Sequence, residues 1–150
     1  MASHRLARED DVETLLPLMR GLYEHDGDEF NAVTHRAALM GLLAHPERGQ
    51  VWLVEDDGAA VGYAVLTFGY SLEYRGRDAL VDELFLAESH RGRGLGMQTL
   101  AFLEAECRRQ GIAAPHLEVA RGNTRAQAVY RAAGFFSHDR ILMTKWVGGA

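Results

Sequence analysis

Apolar residues recur at two different periods along this chain. Val12, Leu15, Leu16, Met19, Leu22 and Tyr23 return at helical spacing, which lines one face of an amphipathic helix. Asp10 and Glu13 stand just there at capping-box spacing, with Asp in place of the usual Ser or Thr, and predict the helix start. Gly27 lies in the acidic segment that ends it. Leu39, Leu42 and Leu43 predict a second helix, with Thr34 as its cap and Pro46 near its stop. The period then shortens. Residues 51–54 and 61–68 are β-rich runs separated by Asp57-Gly58, a strong hairpin signal, and residues 4–7 predict a short opening strand.

Residues 79–86 read as a further strand, from which a glycine-rich turn leads into a helix ending near Gly111. In that helix Gly96, Leu100, Leu103 and Cys107 step by four, three and four, an apolar stripe to lay on a sheet. Residues 117–120 predict a strand, residues 124–133 a helix, and residues 135–147 leave room for two closing strands. No internal repeat or long linker interrupts the pattern, so residues 1–150 are expected to form a single α/β domain with a mixed sheet.

Composition narrows the function. The 150 residues are 47% hydrophobic and 25% charged, the balance of a globular chain. Charged residues from Arg5 to Glu13 leave no apolar stretch for a signal peptide, and no apolar run approaches the roughly twenty residues of a membrane helix. Cys107 is the sole cysteine, so no intrachain disulfide forms, and its place in a helical stretch suits packing. A cytoplasmic protein that does not bind membranes is expected. The net charge of −5 argues against nucleic acid as a partner. The seven histidines show no metal-ligand spacing, so no metal is expected, and His90 reads as a loop residue.

The candidate chemistry gathers at Arg91-Gly92-Arg93-Gly94-Leu95-Gly96, between strand and helix. Free backbone N–H groups and the helix dipole make such a turn an anion site, where glycines let a pyrophosphate approach and the arginines add charge. A P-loop would need Lys and then Ser or Thr after its last glycine, where this chain has Met97 and Gln98. A dinucleotide fingerprint reads G-x-G-x-x-G, with an acid like Glu118 on the next strand. The spacing here is G-x-G-x-G, and too few residues follow for further βα units.

Arg91-x-x-Gly94-x-Gly96 after the strand Val81-Asp82-Glu83-Leu84-Phe85-Leu86 resembles the acetyl-CoA motif of the GNAT superfamily. Asn123, Ala126, Tyr130 and Ala133-Gly134-Phe135 resemble its second block. The resemblance covers nearly the whole chain, and small bacterial-type and polyamine-acetylating members look most similar. It implies a twisted mixed sheet flanked by about four helices, with two splayed strands holding CoA. It also implies that the backbone of Leu84, Phe85 and Leu86 pairs with the pantetheine arm. An N–H near Leu84 or Phe85 would bind the thioester oxygen, such a donor being worth about 3 kcal/mol in an acyl-transfer transition state. Arg91, Gly92, Arg93, Gly94, Leu95 and Gly96 would cradle the pyrophosphate, and Asn123, also a natural helix cap, would hydrogen-bond the cofactor.

The activity implied is N-acetyl transfer from acetyl-CoA to an amine. An alkylammonium of pKa about 10 is mostly protonated at neutral pH, so a base is needed. Asp82 and Glu83 are carboxylates in an otherwise apolar strand, and strand alternation sends them to opposite faces. Polyamine-acetylating members carry an acid that aligns with Asp82, usually as Glu, so Asp82 is favoured and Glu83 stays in contention. Tyr130 matches the tyrosine that protonates the leaving thiolate. A non-catalytic acyl-CoA sensor or assembly module of the same fold is the alternative, against which both acids and the tyrosine speak. The acceptor is expected to be a small cationic amine drawn by Glu24, Asp26, Asp28, Glu29 and Glu73, unless apolar contacts from Tyr23, Phe30 or Tyr70 select it. The sequence leaves a homodimer open.

Overall fold

The computed structural model describes residues 2–148. Contacts within the chain divide it into two compact units, Met1–Glu118 and Val119–Ala150. The first holds a five-stranded sheet in the order β1-β2-β3-β4-β5. Its elements are β1 (Ala2–Leu6), α1 (Val12–Asp26), α2 (Ala32–Leu43), β2 (Gly49–Asp56), β3 (Ala59–Ser71), β4 (Gly76–Leu86), α3 (Leu95–Arg109) and β5 (Ala114–His116). Neighbours are antiparallel up to β4, and β5 runs parallel to β4, as the α3 crossover requires.

The helical stripes fall where the pattern puts them. Val12, Leu15 and Met19 of α1 and Leu39 of α2 are buried with Val51, Leu53, Tyr63 and Val65 on one face of the sheet. Leu103 and Cys107 of α3 pack on the opposite face with Trp52, Ala64, Leu66, Ala79 and Val81. β2 and β3 thus contribute alternate residues to two cores. Asp57 and Gly58 take left-handed conformations (φ 51° and 80°) in the β2–β3 hairpin, as their sequence demands.

Several boundaries differ from the sequence reading. A short 3-10 turn, Glu9–Asp11, precedes α1, so α1 starts at Val12 rather than at the Asp10 box, and Asp11 Oδ2 accepts from the Arg8 N–H at 2.8 Å. Asn31, not Thr34, caps α2: its Oδ1 accepts from the N–H groups of Val33 and Thr34, both at 3.0 Å. The strand expected at residues 117–120 forms earlier, as β5. The hydrogen-bonded register of β5 against β4 ends at Leu80 and His116, and residues 117–120 form no strand among the described residues.

Taken by itself, the second unit carries α4 (Thr124–Ala132), one residue shorter than expected, with Asn123 as N-cap accepting from the Ala126 N–H at 3.1 Å. The two strands expected in residues 135–147 do not form there. A β-propensity pattern yields a strand only when a neighbouring backbone takes up its hydrogen bonds.

Gly62 of β3 faces the part of β4 that precedes the glycine turn. A Cβ at Gly62 would lie 2.2 Å from the Phe85 carbonyl oxygen and 2.9 Å from Leu86 Cδ2. Gly62→Ala is therefore expected to destabilise the protein by about 1–3 kcal/mol, the usual cost of overpacking. An unchanged urea midpoint would contradict this close approach.

Candidate active site

The site is built on β4, whose period-2 alternation breaks at its centre. Val65 of β3 pairs with Glu83 and Leu66 pairs with Val81, which leaves Asp82 unpaired in a β-bulge. Ala79 and Val81 belong to the α3-side core, whereas Glu83 turns to the α1 side, where it meets Tyr23 and Tyr63. Without the bulge Glu83 would share the α3 face with Val81. Simple alternation therefore does not describe this acidic pair. Asp82 lies near enough for its charge to act on Glu83, Tyr23 and Tyr63.

The two carboxylates have different surroundings. Glu83 Oε2 accepts from the Tyr23 hydroxyl at 2.5 Å, and Oε1 accepts from the Tyr63 hydroxyl at 2.7 Å. Burial raises the Glu83 pKa above the ordinary range, while the two phenols and the nearby His35 pull it back. Both tyrosines are raised in turn, first by burial and then by the Glu83 anion. Asp82 keeps solvent access, and its carboxylate has no hydrogen-bond partner among the described residues. Partial desolvation raises its pKa too, and a carboxylate that is raised and unengaged is the better proton acceptor.

Beyond Glu83, β4 runs on through Leu84, Phe85 and Leu86 with β3 on one edge and no β5 pairing on the other. On that side the backbone groups of Leu84, Phe85 and Leu86 have no strand partner within the first unit, so an extended ligand could take up their hydrogen bonds. Phe85 lies over Gly21, whose Cβ would come within 2.8 Å of the ring, and the Arg91 guanidinium stands 5.5 Å from the Phe85 centroid. Arg91 also donates from Nε to the Leu86 carbonyl at 2.9 Å, which ties the turn to the end of β4. Arg93 has no ion pair or hydrogen bond among the described residues. His90, expected as a plain loop residue, pairs with Asp56 at 3.3 Å.

In the turn, Gly92 and Gly94 adopt left-handed backbone (φ 75° and 81°). A Cβ at either would meet nothing within 4 Å, and at Gly96 the nearest atom, Leu86 Cδ1, is 4.0 Å away. Gly94 caps α3 without a side-chain acceptor. The first helical bond there runs from the Gln98 N–H to the Gly94 carbonyl, so the N–H groups of Leu95, Gly96 and Met97 lie ahead of it. These donors, the open space over the glycines and the free edge of β4 suit a pyrophosphate and an extended amide-bearing arm. Leu95 itself is buried, so it can serve a ligand only through its backbone.

Asn123 and Tyr130 lie in the second unit. There the Tyr130 ring meets Phe135 edge-on with centroids 6.3 Å apart. Nothing in the sequence singles out Tyr63 or His35, and Tyr23 reads there only as an apolar contact. Tyr63 sits in an apolar run between Gly62 and Ala64, and nothing in that run separates a hydroxyl with a task from an aromatic in the core. No group of three or more potential metal ligands occurs among the described residues. No helix among them is long and apolar enough to cross a membrane.

Residues 14–135 match the model of the Acetyltransferase (GNAT) family. The chain belongs to that family, and it is an acyltransferase by class. An integron cassette protein from the mobile metagenome of Cole Harbour Salt Marsh is 32% identical, with 98% of this chain and 91% of that one covered at a TM-score of 0.86. A putative acetyltransferase from an Arthrobacter species is 26% identical over 99% of this chain and 96% of that one, with a TM-score of 0.78. An aminoglycoside N-acetyltransferase solved in complex with CoA shares the fold at 19% identity, covering 99% and 96% of the two chains at a TM-score of 0.83. No curated protein matches the sequence.

Proposed function

We propose that this protein transfers an acetyl group from acetyl-CoA to the primary amine of a small cationic acceptor by direct attack. The observation that carries the reading is the acidic pair at the β4 bulge, one carboxylate unengaged and the other fixed, immediately before a glycine turn suited to pyrophosphate. Asp82, directly or through one water, takes the proton from the acceptor ammonium. The freed amine attacks the thioester carbonyl carbon, and the C–N bond forms. A β4 backbone N–H near Leu84 or Phe85 binds the oxyanion. As the C–S bond breaks, the Tyr130 hydroxyl gives its proton to the leaving thiolate, the acylated nitrogen returns its surplus proton to the Tyr130 phenolate, and Asp82 releases the first proton to water. Arg91, Gly92, Arg93, Gly94, Leu95 and Gly96 hold the pyrophosphate, with Asn123 as a further cofactor contact. The family motif supports the roles of Asn123 and Tyr130.

Glu24, Asp26, Asp28 and Glu29 are exposed at the end of α1 and in the loop to α2. The Asp28 charge acts on Tyr23, itself bonded to Glu83, so this negative field reaches the carboxylate pair and favours a cation. The test is an acetyl-CoA thiol-release assay across a polyamine, an aminoglycoside, a lysine-like amino acid, an N-terminal peptide and a neutral aryl amine. Cationic amines are expected to have the highest kcat/KM, with values that fall as salt is added. A neutral aryl amine that outperforms every cation, without salt dependence, would remove the acceptor assignment and leave the family unchanged.

A further inference from the structure

Tyr63 is the largest fully buried side chain of the described core, with 1% of its surface exposed. A buried hydroxyl costs stability unless it is bonded, and its hydrogen bond goes to Glu83. A residue needed only for packing would be satisfied as Phe. The second phenol reaches the same carboxylate from another element. Tyr23 on α1 is held edge-on to Phe30 and His35 with centroids 5.6 and 4.8 Å away, and Phe30 and His35 stack at 5.0 Å. Arg20 covers Phe30 at 4.9 Å. One donor is therefore fixed through α1 and α2 and the other through the sheet, and each takes a different oxygen of Glu83.

We propose that Tyr23 and Tyr63 are positioning residues of the transfer: their hydroxyls clamp Glu83 as a fixed anion, and the clamped carboxylate anchors the acceptor's ammonium group beside Asp82. The inference rests on the reading of the acceptor as a cationic amine. Two phenolic donors match an ionised carboxylate, which accepts only, whereas a protonated one would need an acceptor for its own O–H. A carboxylate has about four lone-pair sites, so two remain on Glu83 for an ammonium that brings three donors. Both bonds already present weaken Glu83 as a base and strengthen it as an anchor, which leaves the proton to the unengaged Asp82. The titratable groups that face Glu83 are Tyr23 from α1, His35 from α2, Tyr63 from β3 and Asp82 from β4. Because the phenols favour the anion, removing one moves Glu83 protonation to higher pH.

The test pairs carbon NMR of carboxyl-labelled Glu83, assigned with Glu83→Gln, with kinetics of Tyr23→Phe and Tyr63→Phe. In Tyr23→Phe, whose side chain is half-buried, the Glu83 titration is expected at higher pH. KM for the best cationic amine should rise about tenfold, the scale of one hydrogen bond to a charged group. The rise should steepen below neutral pH, with little change in kcat and none in KM for a neutral aryl amine. Tyr63→Phe should move the same quantities in the same direction, with added loss of thermal stability. An unmoved Glu83 titration in Tyr23→Phe would overturn the clamp, and so would a moved titration with unchanged KM. Glu83→Gln separates the layers. Impaired KM there with a silent Tyr23→Phe overturns the clamp alone, and full activity of Glu83→Gln on cationic amines overturns the anchor, whereas a parent protein that prefers a neutral aryl amine without salt dependence overturns the acceptor reading beneath both.

Discussion

Asp82→Asn is expected to lower kcat for the best amine acceptor by about 100- to 10,000-fold at neutral pH, the usual contribution of a positioned base. In the proposed reaction the acceptor arrives mostly as an ammonium ion, whose proton Asn cannot take. Asp82 is exposed and has no hydrogen-bond partner among the described residues, so the variant should fold and melt like the parent. The loss should shrink as the pH approaches the amine's own pKa of about 10, where neutral amine no longer needs a base. In the parent protein, activity is expected to fall as pH drops through the Asp82 pKa, which partial desolvation of the solvent-accessible side chain raises above the ordinary aspartate range. That acidic limb should be absent from the residual activity of Asp82→Asn. A variant with parental kcat at neutral pH would show that another group takes the proton, and Glu83 would be the first candidate.

Gly96→Leu should abolish most acetyl-CoA binding without harming the protein that binds it. Gly96 lies in the first turn of α3 with ordinary helical backbone, and the nearest atom to a Cβ there is 4.0 Å away. Leu is also the better helix former, by up to about 1 kcal/mol. The free protein should therefore be as stable as the parent or slightly more so. A pyrophosphate drawn to the N–H groups ahead of α3 needs the space that the Leu side chain would fill. Losing two hydrogen bonds to a charged group, at about 1.5–3 kcal/mol each, corresponds to an affinity loss of at least about 100-fold. Calorimetry with acetyl-CoA measures the affinity, and a thermal melt checks the fold. Unchanged affinity with the parental melting temperature would place the pyrophosphate elsewhere.

Much of this protein is decided by neighbours in sequence. The apolar stripes of α1 and α3, the Asp57-Gly58 hairpin and the strand-glycine turn-helix unit rest on local backbone preference and on periods of 3.6 and 2, both written residue by residue. Gly92 and Gly94 adopt the left-handed backbone that a glycine-rich turn allows. The Asn123 cap and α4 follow for the same reason. The GNAT family was legible as well, because its motif is a short run whose chemistry is carried by the backbone.

Other features depend on which backbone lies alongside. Residues 117–120 have a strand's composition, yet the pairing with β4 is used up at residues 114–116. Residues 135–147 read as two strands and form none, since no ladder takes up their hydrogen bonds within the second unit. The choice of Asn31 over Thr34 as the cap of α2 turns on where the chain leaves the loop, which shifts the helix by one turn. The acidic pair shows the same division. The sequence supplies two adjacent carboxylates in an apolar strand. Only the mismatch in register between β3 and β4 bulges Asp82 out and turns Glu83 toward Tyr63, twenty residues away in sequence, and Tyr23, sixty away. A bulge arises from two strands meeting out of step, and neither strand's own sequence records that step.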